Sequence, residues 1–326
     1  MTYELARGLA RSGHDVTLFA TGDSSGEDVR YVFHDPIWPP DPYAELLHCH
    51  EAAREIAREG FDVVHAHCPA LLAFADDLGA PLVYTLHHDR DERLARIYVR
   101  RPHAHYVAIS ARQASLHPEL ACHVVHHGLD PARFPLGSGA GDYAAFLGRL
   151  SWCKGPDIAV EATRRAGVDL RIGGELHAEE DPRTWVEELE RTLQAPHVHR
   201  LGSVGGRRKL ELLADARALL MPIRWEEPFG LVMIEAMLCG TPVIAFPRGA
   251  APEIVDDGLT GFLANDVDEM AAVLSSLGGF DRAACRRHAQ ARFSSARMVG
   301  DYARIYAGVA AAARPLAMAE ESRYAG

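Results

Sequence analysis

The sequence predicts an α/β protein made of two doubly wound domains, each a parallel sheet with helices on both faces. Three observations carry this expectation. The chain has 326 residues, and at about 150 residues per domain that makes room for two separate cores. Short runs rich in Val, Ile, Leu and Phe alternate with stretches of helical periodicity, the strand, helix, strand order that buries a parallel sheet. The alternation breaks once, at 130–142 (DPARFPLGSGAGD), where prolines and glycines give the composition of an interdomain linker. After the break it restarts.

The elements follow in order. The chain opens inside a helical stretch, TYELARGLARSG, and meets its first strand as VTLFA at 16–20. Further strands are read at DVVHAH (62–67), PLVYTLHH (81–88), YVAIS (106–110) and HVVHH (123–127), with helical periodicity at 43–59, 70–78 and 90–100. A doubly wound domain ordinarily starts on a buried strand followed by a ligand loop, so the first strand of the N-terminal domain is read as missing. Past the break, strands are expected at YAAFLG (143–148), DLRIGG (169–174), HVHRLG (197–202), ALLMPI (218–223) and PVIAF (242–246). From 281 onward the pattern is helical, and the last dozen residues read as a frayed end. The expected division is a first domain at 1–135, a second at 142–290 and a terminal helix at 291–313.

Composition removes several classes. Apolar residues make up 48% and charged residues 24%, which excludes a disordered or fibrous chain. Lys and Arg number 34 against 45 Asp and Glu, a net charge of −11, the wrong sign for a dedicated nucleic-acid binder. No apolar stretch approaches the roughly 18 residues of a membrane span, and the start lacks the order of a signal peptide. A cytoplasmic location is expected. Cys49, Cys68, Cys122, Cys153, Cys239 and Cys285 form no CxxC pair and are expected to be reduced and mostly buried.

The most informative segment is EEPFGLVMIEAMLCGTP at 226–242. Pro228 and Gly230 mark a tight turn into a helix that should end at Gly240, where a left-handed cap is expected. The backbone N–H groups of Phe229, Gly230 and Leu231 then open a helix N-terminus, which attracts anions or sugar hydroxyls. Helical side chains lean toward the N-terminus, so Glu235 on the second turn reaches back toward the crevice that Glu227 borders. Two carboxylates converging there suit the paired hydroxyls of a ribose or hexose. The plainer alternative makes Glu227 a cap and Glu235 part of a solvated face, but a carboxylate among Met233, Ile234, Ala236 and Met237 argues against it.

The second constellation is GRLSWCKG at 148–155, just after the first strand of the second half. Only Lys154 and Lys209 among the 34 cations are lysine, so a chain that writes nearly every cation as Arg has kept Lys beside Gly155. A compact ammonium with the forked guanidinium of Arg149 suits a pyrophosphate. An ordinary exposed cation pair is the competing reading.

Together these residues resemble the retaining nucleotide-sugar glycosyltransferases of family 4, which have the GT-B fold of two facing Rossmann-like domains with a cleft between them. The E-x7-E motif is present as Glu227 and Glu235, and GR-x4-KG as Gly148, Arg149, Lys154 and Gly155. Gly249 and Glu253 match the segment that follows, and 293–306 looks like the terminal helix that packs back on the first domain. By that resemblance Arg149 and Lys154 hold the donor diphosphate. Glu227 holds the donor sugar with the backbone at Pro228 to Leu231, chiefly Phe229 and Gly230, and Glu235 holds the ribose. In YTLHHD, His87 matches the strand-end histidine near the transferring centre, with His88 the weaker register. Strand ends face the ligand crevice and an imidazole there can donate or shuttle a proton, although a satisfied core histidine is the alternative. Where the family commonly reads Asn-Gly before the linker, this chain reads His127-Gly128.

The implied reaction moves a sugar from a UDP-, GDP- or ADP-sugar to an acceptor hydroxyl with retention, the departing diphosphate taking the acceptor proton. The nucleotide sugar is a co-substrate, and no cofactor is implied. The acceptor is unknown. A catalytically silent nucleotide-sugar-binding module and a nucleotide-sugar epimerase are the alternatives. Paired histidines such as His65 with His67 share a strand face, but no third ligand stands at metal spacing and the resembling enzymes need no metal. His67 is read as lining the acceptor side. Gly202, Gly205 and Gly206 read as a turn, and Gly137, Gly139 and Gly141 as linker. Arg93, Arg96 and Arg100 line one helical face and would suit an anionic lipid surface, but Asp91 and Glu92 dilute it and a solvated face is preferred. No GxSxG elbow is present.

Overall fold

The structure, a computed structural model, describes residues 1–26, 28–176 and 181–324, with 314–324 as backbone helix only. Its contacts divide the chain into two units, Met1–Gly128 with Ser295–Gly326, and Leu129–Ser294. In the first, helix α1 (Thr2–Arg11) precedes β1 (Thr17–Phe19), which pairs in parallel with β2 (Asp28–Arg30). Helix α2 (Pro42–Glu59) starts sharply because the Asp41 carboxylate accepts from the N–H groups of Tyr43 and Ala44 while Pro42 occupies the first turn. There follow β3 (Val64–Ala66), a 3₁₀ stretch at Pro69–Asp77, β4 (Leu82–Thr85), α3 (Glu92–Tyr98), β5 (His105–Ala108), α4 (Ala111–Ser115) and β6 (His123–Val124). Strands β3 to β6 form a parallel sheet in that order. Leu82, Val83, Tyr84 and Thr85 are all buried, as expected of a strand covered on both faces.

The second unit contains β7 (Tyr143–Leu147), α5 (Pro156–Ala166), β8 (Asp169–Gly173), α6 (Arg183–Thr192), β9 (Val198–Arg200), α7 (Gly206–Asp215), β10 (Leu219–Met221), α8 (Leu231–Leu238), β11 (Val243–Ala245), α9 (Ala251–Ile254), β12 (Gly261–Leu263), α10 (Val267–Ser275) and α11 (Arg282–Phe293). Its strands run parallel in the order β12-β11-β10-β7-β8-β9. The chain moves outward from β7 through β8 and β9, then returns to the other side of β7 for β10. Such a reversal leaves a crevice at the carboxyl ends of the two central strands, where ligands of open α/β sheets bind. Here those strands are β7 and β10.

Three differences from the sequence reading have physical causes. The segment at 130–142, expected to be a linker, is a strap tied to the second unit. The N–H groups of Gly137, Gly139 and Gly141 donate to the carbonyls of Cys239, Ala214 and Asp215, and the Arg282 guanidinium donates to the carbonyls of Gly137, Ala214 and Ala216. A Cβ on Gly137 would lie 1.9 Å from the Ala214 carbonyl oxygen, so this glycine is needed for close approach. Second, the helical run after 281 is broken at Ser294, and the final helix α12 starts at Ser295. It packs along α1 in a core of Leu5, Leu9, Val83, Val107, Met298, Val299 and Tyr302. Third, the backbone of α12 continues to Tyr324, past the expected end at 313; the side chains of 314–324, and residues 325–326, lie outside the described residues. Strands β2 and β12 carry no apolar run long enough to be read from sequence, and the helical stretch read at 70–78 is the 3₁₀ stretch Pro69–Asp77 rather than an α-helix.

Candidate active site

The polypeptide leaves β7 at Gly148 and reaches Lys154 at the end of a single 3₁₀ turn, Trp152–Lys154. Gly155 then caps α5 in the left-handed region, with φ 72°. A Cβ there would stand 2.1 Å from the Pro222 carbonyl oxygen, so only glycine lets this turn sit against the end of β10. The two strand ends are stitched together across that contact. The Arg224 N–H donates to the Cys153 carbonyl at 2.8 Å, and its guanidinium donates to the Trp152 carbonyl and the Asp157 carboxylate, each at 2.8 Å.

The stitching delivers Lys154 to Glu227. Its ammonium donates to Oε2 of Glu227, and the Trp225 Nε1–H donates to the same oxygen at 3.0 Å. The ammonium also lies 4.7 Å from the centre of the Trp225 ring, a cation–π contact. Glu227 is 8% exposed, and a carboxylate that buried requires a cation and donors around it. It is held from behind as well. Gly249 lies against it with φ 56°, a Cβ at that position would come within 2.2 Å of the Glu227 nitrogen, and the Ala250 N–H donates to the Glu227 carbonyl at 2.8 Å.

Gly230, at φ 86°, is the N-cap of α8. Pro228 and Phe229 are buried beside it, the Phe229 ring lying edge-on to Phe293 at 6.1 Å. The ring therefore serves the core, while Leu231 is exposed at the helix mouth. The helix runs to Leu238, and Gly240 adopts the expected left-handed conformation at φ 76°. Along α8, Met233, Ile234, Ala236, Met237 and Leu238 are buried, and Glu235 is the one charged residue. Its Oε1 accepts from the ammonium of Lys209, on the first turn of α7, at 2.6 Å. Each glutamate of the pair thus has one of the two lysines as its partner. Arg149 is exposed directly after Gly148.

In the first unit, His87 stands two residues beyond β4. Its Nε2 lies 2.8 Å from Nδ1 of His67, just past β3, and the His127 ring stacks on it at 5.7 Å. Behind them Nε2 of His65 meets the Thr85 hydroxyl at 2.7 Å, and Thr85 meets the Tyr302 hydroxyl at 2.9 Å. The Tyr306 hydroxyl reaches Nδ1 of His65 at 2.6 Å. Burial, reinforced by the neighbouring imidazoles, pulls the pKa of His67 down to about 3 and that of His87 to about 4. Burial likewise holds His65 and His127 well below the usual histidine range. All four are neutral at pH 7. Among the described residues no group of His, Cys, Asp and Glu has metal-binding geometry, and no helix is long and apolar enough to cross a membrane.

Sequence reasoning singled out Lys154, Glu227 and Glu235, and the structure brings the first two into contact. It places His87 in the first unit, against His67 rather than alone. Three partners are not legible in the sequence. The sequence marks Lys209 only as the second lysine, gives no signal for Trp225 although it precedes the E-x7-E segment, and marks His127 only as a departure from Asn. The rarity of lysine was the one available signal for Lys209.

Comparison with known proteins identifies the family. Residues 1–133 match the family described as Glycosyltransferase Family 4, and residues 141–278 match the one described as Glycosyl transferases group 1. A D-inositol 3-phosphate glycosyltransferase of Xylanimonas cellulosilytica is 30% identical over 92% of this chain and 87% of its own. An uncharacterized 41.2 kDa protein in the cps region of Klebsiella pneumoniae is 32% identical over 49% of this chain and 45% of its own, so the chain spans about half the length of some curated relatives. HepE of Anabaena, solved with UDP and glucose, superposes with a TM-score of 0.74 at 20% identity, covering 94% of this chain and 96% of that one. With two parallel-sheet, Rossmann-like domains on the GT-B plan, the chain belongs to the family 4 retaining glycosyltransferases, which take the sugar from a nucleotide-sugar donor.

Proposed function

We propose that the second unit binds a UDP-sugar, with GDP- and ADP-sugars as the other donors to test, and that the sugar passes to an acceptor hydroxyl with its anomeric configuration kept. Lys154 and Arg149 hold the diphosphate, and Glu227 holds the sugar with the backbone at Phe229 and Gly230. Glu235 holds the ribose. The observation that carries this reading is the Lys154–Glu227 pair at the mouth of α8, between the ends of β7 and β10. An incoming diphosphate exchanges one anionic partner of Lys154 for another and releases the Glu227 carboxylate to accept from sugar hydroxyls. As the glycosidic bond breaks, negative charge grows on the diphosphate, and in this reading the Lys154 ammonium, the Arg149 guanidinium and the α8 N-terminus stabilise it.

The choice of UDP first draws on HepE, which was solved with UDP-glucose. His87 is assigned to the transferring centre: a neutral imidazole donates a hydrogen bond from one ring nitrogen, or relays a proton by accepting it at one nitrogen and releasing one from the other. A cytoplasmic location belongs to the same reading, and cell fractionation tests it. The function is tested by a thermal-shift screen against UDP, GDP and ADP and their common sugars, then by donor turnover and NMR of the product anomer. Stabilisation by one nucleotide series and a retained anomer are expected. An inverted anomer, or no response to any nucleotide, overturns the proposal.

A further inference from the structure

We infer that Lys209 is a positioning residue for nucleotide recognition: it holds the Glu235 carboxylate so that its outward oxygen accepts from the ribose hydroxyls. This rests on the reading that Glu235 binds ribose, and it concerns a residue outside both sequence motifs.

The argument starts from α8. Its other described side chains are apolar and mostly buried, so Glu235 carries the helix's one charge in a setting where an unpaired carboxylate is costly. Glu235 is 15% exposed at the side chain and Lys209 is 29% exposed. The ammonium occupies Oε1 at 2.6 Å. A carboxylate has about four acceptor positions, so Oε2 and one site on Oε1 stay available for a pair of vicinal hydroxyls. Lys209 lies on the first turn of α7, which opens at Gly206 directly after the loop that contains Gly202 and Gly205. It therefore approaches from the carboxyl-end side of the sheet, where a ligand enters. The composition points the same way. Of 34 cations only two are lysine, and they are the partners of the two glutamates of the E-x7-E pair. A flexible stem with a compact head reaches one oxygen and leaves the other open, whereas a guanidinium fork tends to engage both.

The test separates a positioning role from a structural one by using the ligand as the second mutation of a cycle. Dissociation constants of UDP, GDP and ADP and of their 2′,3′-dideoxy counterparts are measured by titration calorimetry on the full chain and on Lys209→Met, Lys209→Arg and Glu235→Gln. In wild type, the nucleotide that binds should lose roughly tenfold or more on removal of its hydroxyls, as expected for hydrogen bonds to a charged group. In K209M that ratio should fall to within about threefold, and K209R should restore part of it. A merely structural lysine would weaken both ligands together and leave the ratio alone, which overturns the inference. If K209M does not fold, Lys209→Gln takes its place with the same expected ratio. If E235Q keeps the full discrimination, or if no nucleotide binds wild type, the underlying ribose assignment fails first. If E235Q loses discrimination while K209M keeps it, Glu235 stands and Lys209 falls.

Discussion

Replacing Lys154 with methionine separates catalysis from folding. The side chains of Lys154 and Glu227 are 18% and 10% exposed. Removing one partner of a fully buried pair costs about 3–5 kcal/mol. Here water still reaches the ammonium, and Trp225 stays on the same carboxylate oxygen, which brings the expected loss to about 1–2 kcal/mol. For a domain of about 150–250 residues that lowers the melting temperature by roughly 2–8 °C, leaving the protein folded at an assay temperature of 25 °C. Turnover should fall much further. One donor aimed at charge that develops in the transition state is worth about 10²–10³ in rate, and kcat should drop by that factor under saturating donor. The double variant Lys154→Met/Glu227→Gln sharpens the comparison. It removes the unpaired carboxylate and should recover most of the melting temperature while staying inactive. The reasoning fails if K154M turns over within about threefold of wild type, or if stability and turnover recover together in the double variant.

Gly249→Ala combines a left-handed backbone with a Cβ 2.2 Å from the Glu227 nitrogen; it should cost upward of about 2 kcal/mol and weaken donor binding, and an unchanged melting temperature would contradict the packing described. His87→Asn should lower turnover by about 10²-fold or more with nucleotide affinity unchanged in calorimetry; equal turnover would remove His87 from the chemistry. The native pKa values of His67 and His87 lie at about 3 and about 4, against about 6.5 in the unfolded chain. The unfolded state therefore takes up protons first, so stability is unaffected above pH 6.5 and declines as pH falls toward 4, by at most about 1.4 kcal/mol per pH unit for each histidine. Denaturant titrations at pH 7 and pH 5 should show the decline, and His67→Asn/His87→Asn should reduce it, leaving the part that comes from His65 and His127.

Much of the architecture was legible because parallel sheets bury both faces. The runs at 143–148 and 218–223 are almost uninterrupted apolar sequence, and the strands β7 and β10 lie within them. The left-handed Gly240 and the turn at Pro228 to Gly230 were equally readable, since local backbone geometry dictates the residue. Pairings between distant segments were not. Lys209 and Glu235 belong to different helices, and no periodicity says which turn of α7 faces which turn of α8. The strap at 129–142 has the composition of a loose linker, but its glycines serve close approach to Ala214 and Asp215, and composition alone cannot distinguish the two uses. Likewise His67 and His87 sit at the ends of adjacent strands, but their contact depends on the register of β3 with β4, Ala66 beside Tyr84.

The core that joins α1, the middle of the first sheet and α12 draws on residues from opposite ends of the chain, with Leu5 and Leu9 packed near Val299 and Tyr302. Gly8 allows the close approach, since a Cβ there would lie 2.3 Å from a Val299 methyl. During synthesis on the ribosome, Leu129–Ser294 emerges in full before α12 does, so the second unit can complete its own packing while the first still waits for α12. Nascent chains that end near Ser294 should therefore expose the apolar faces of Leu5, Val83 and Val107 to chaperones, and protease resistance should spread through the amino-terminal segment only after the final helix has cleared the exit tunnel.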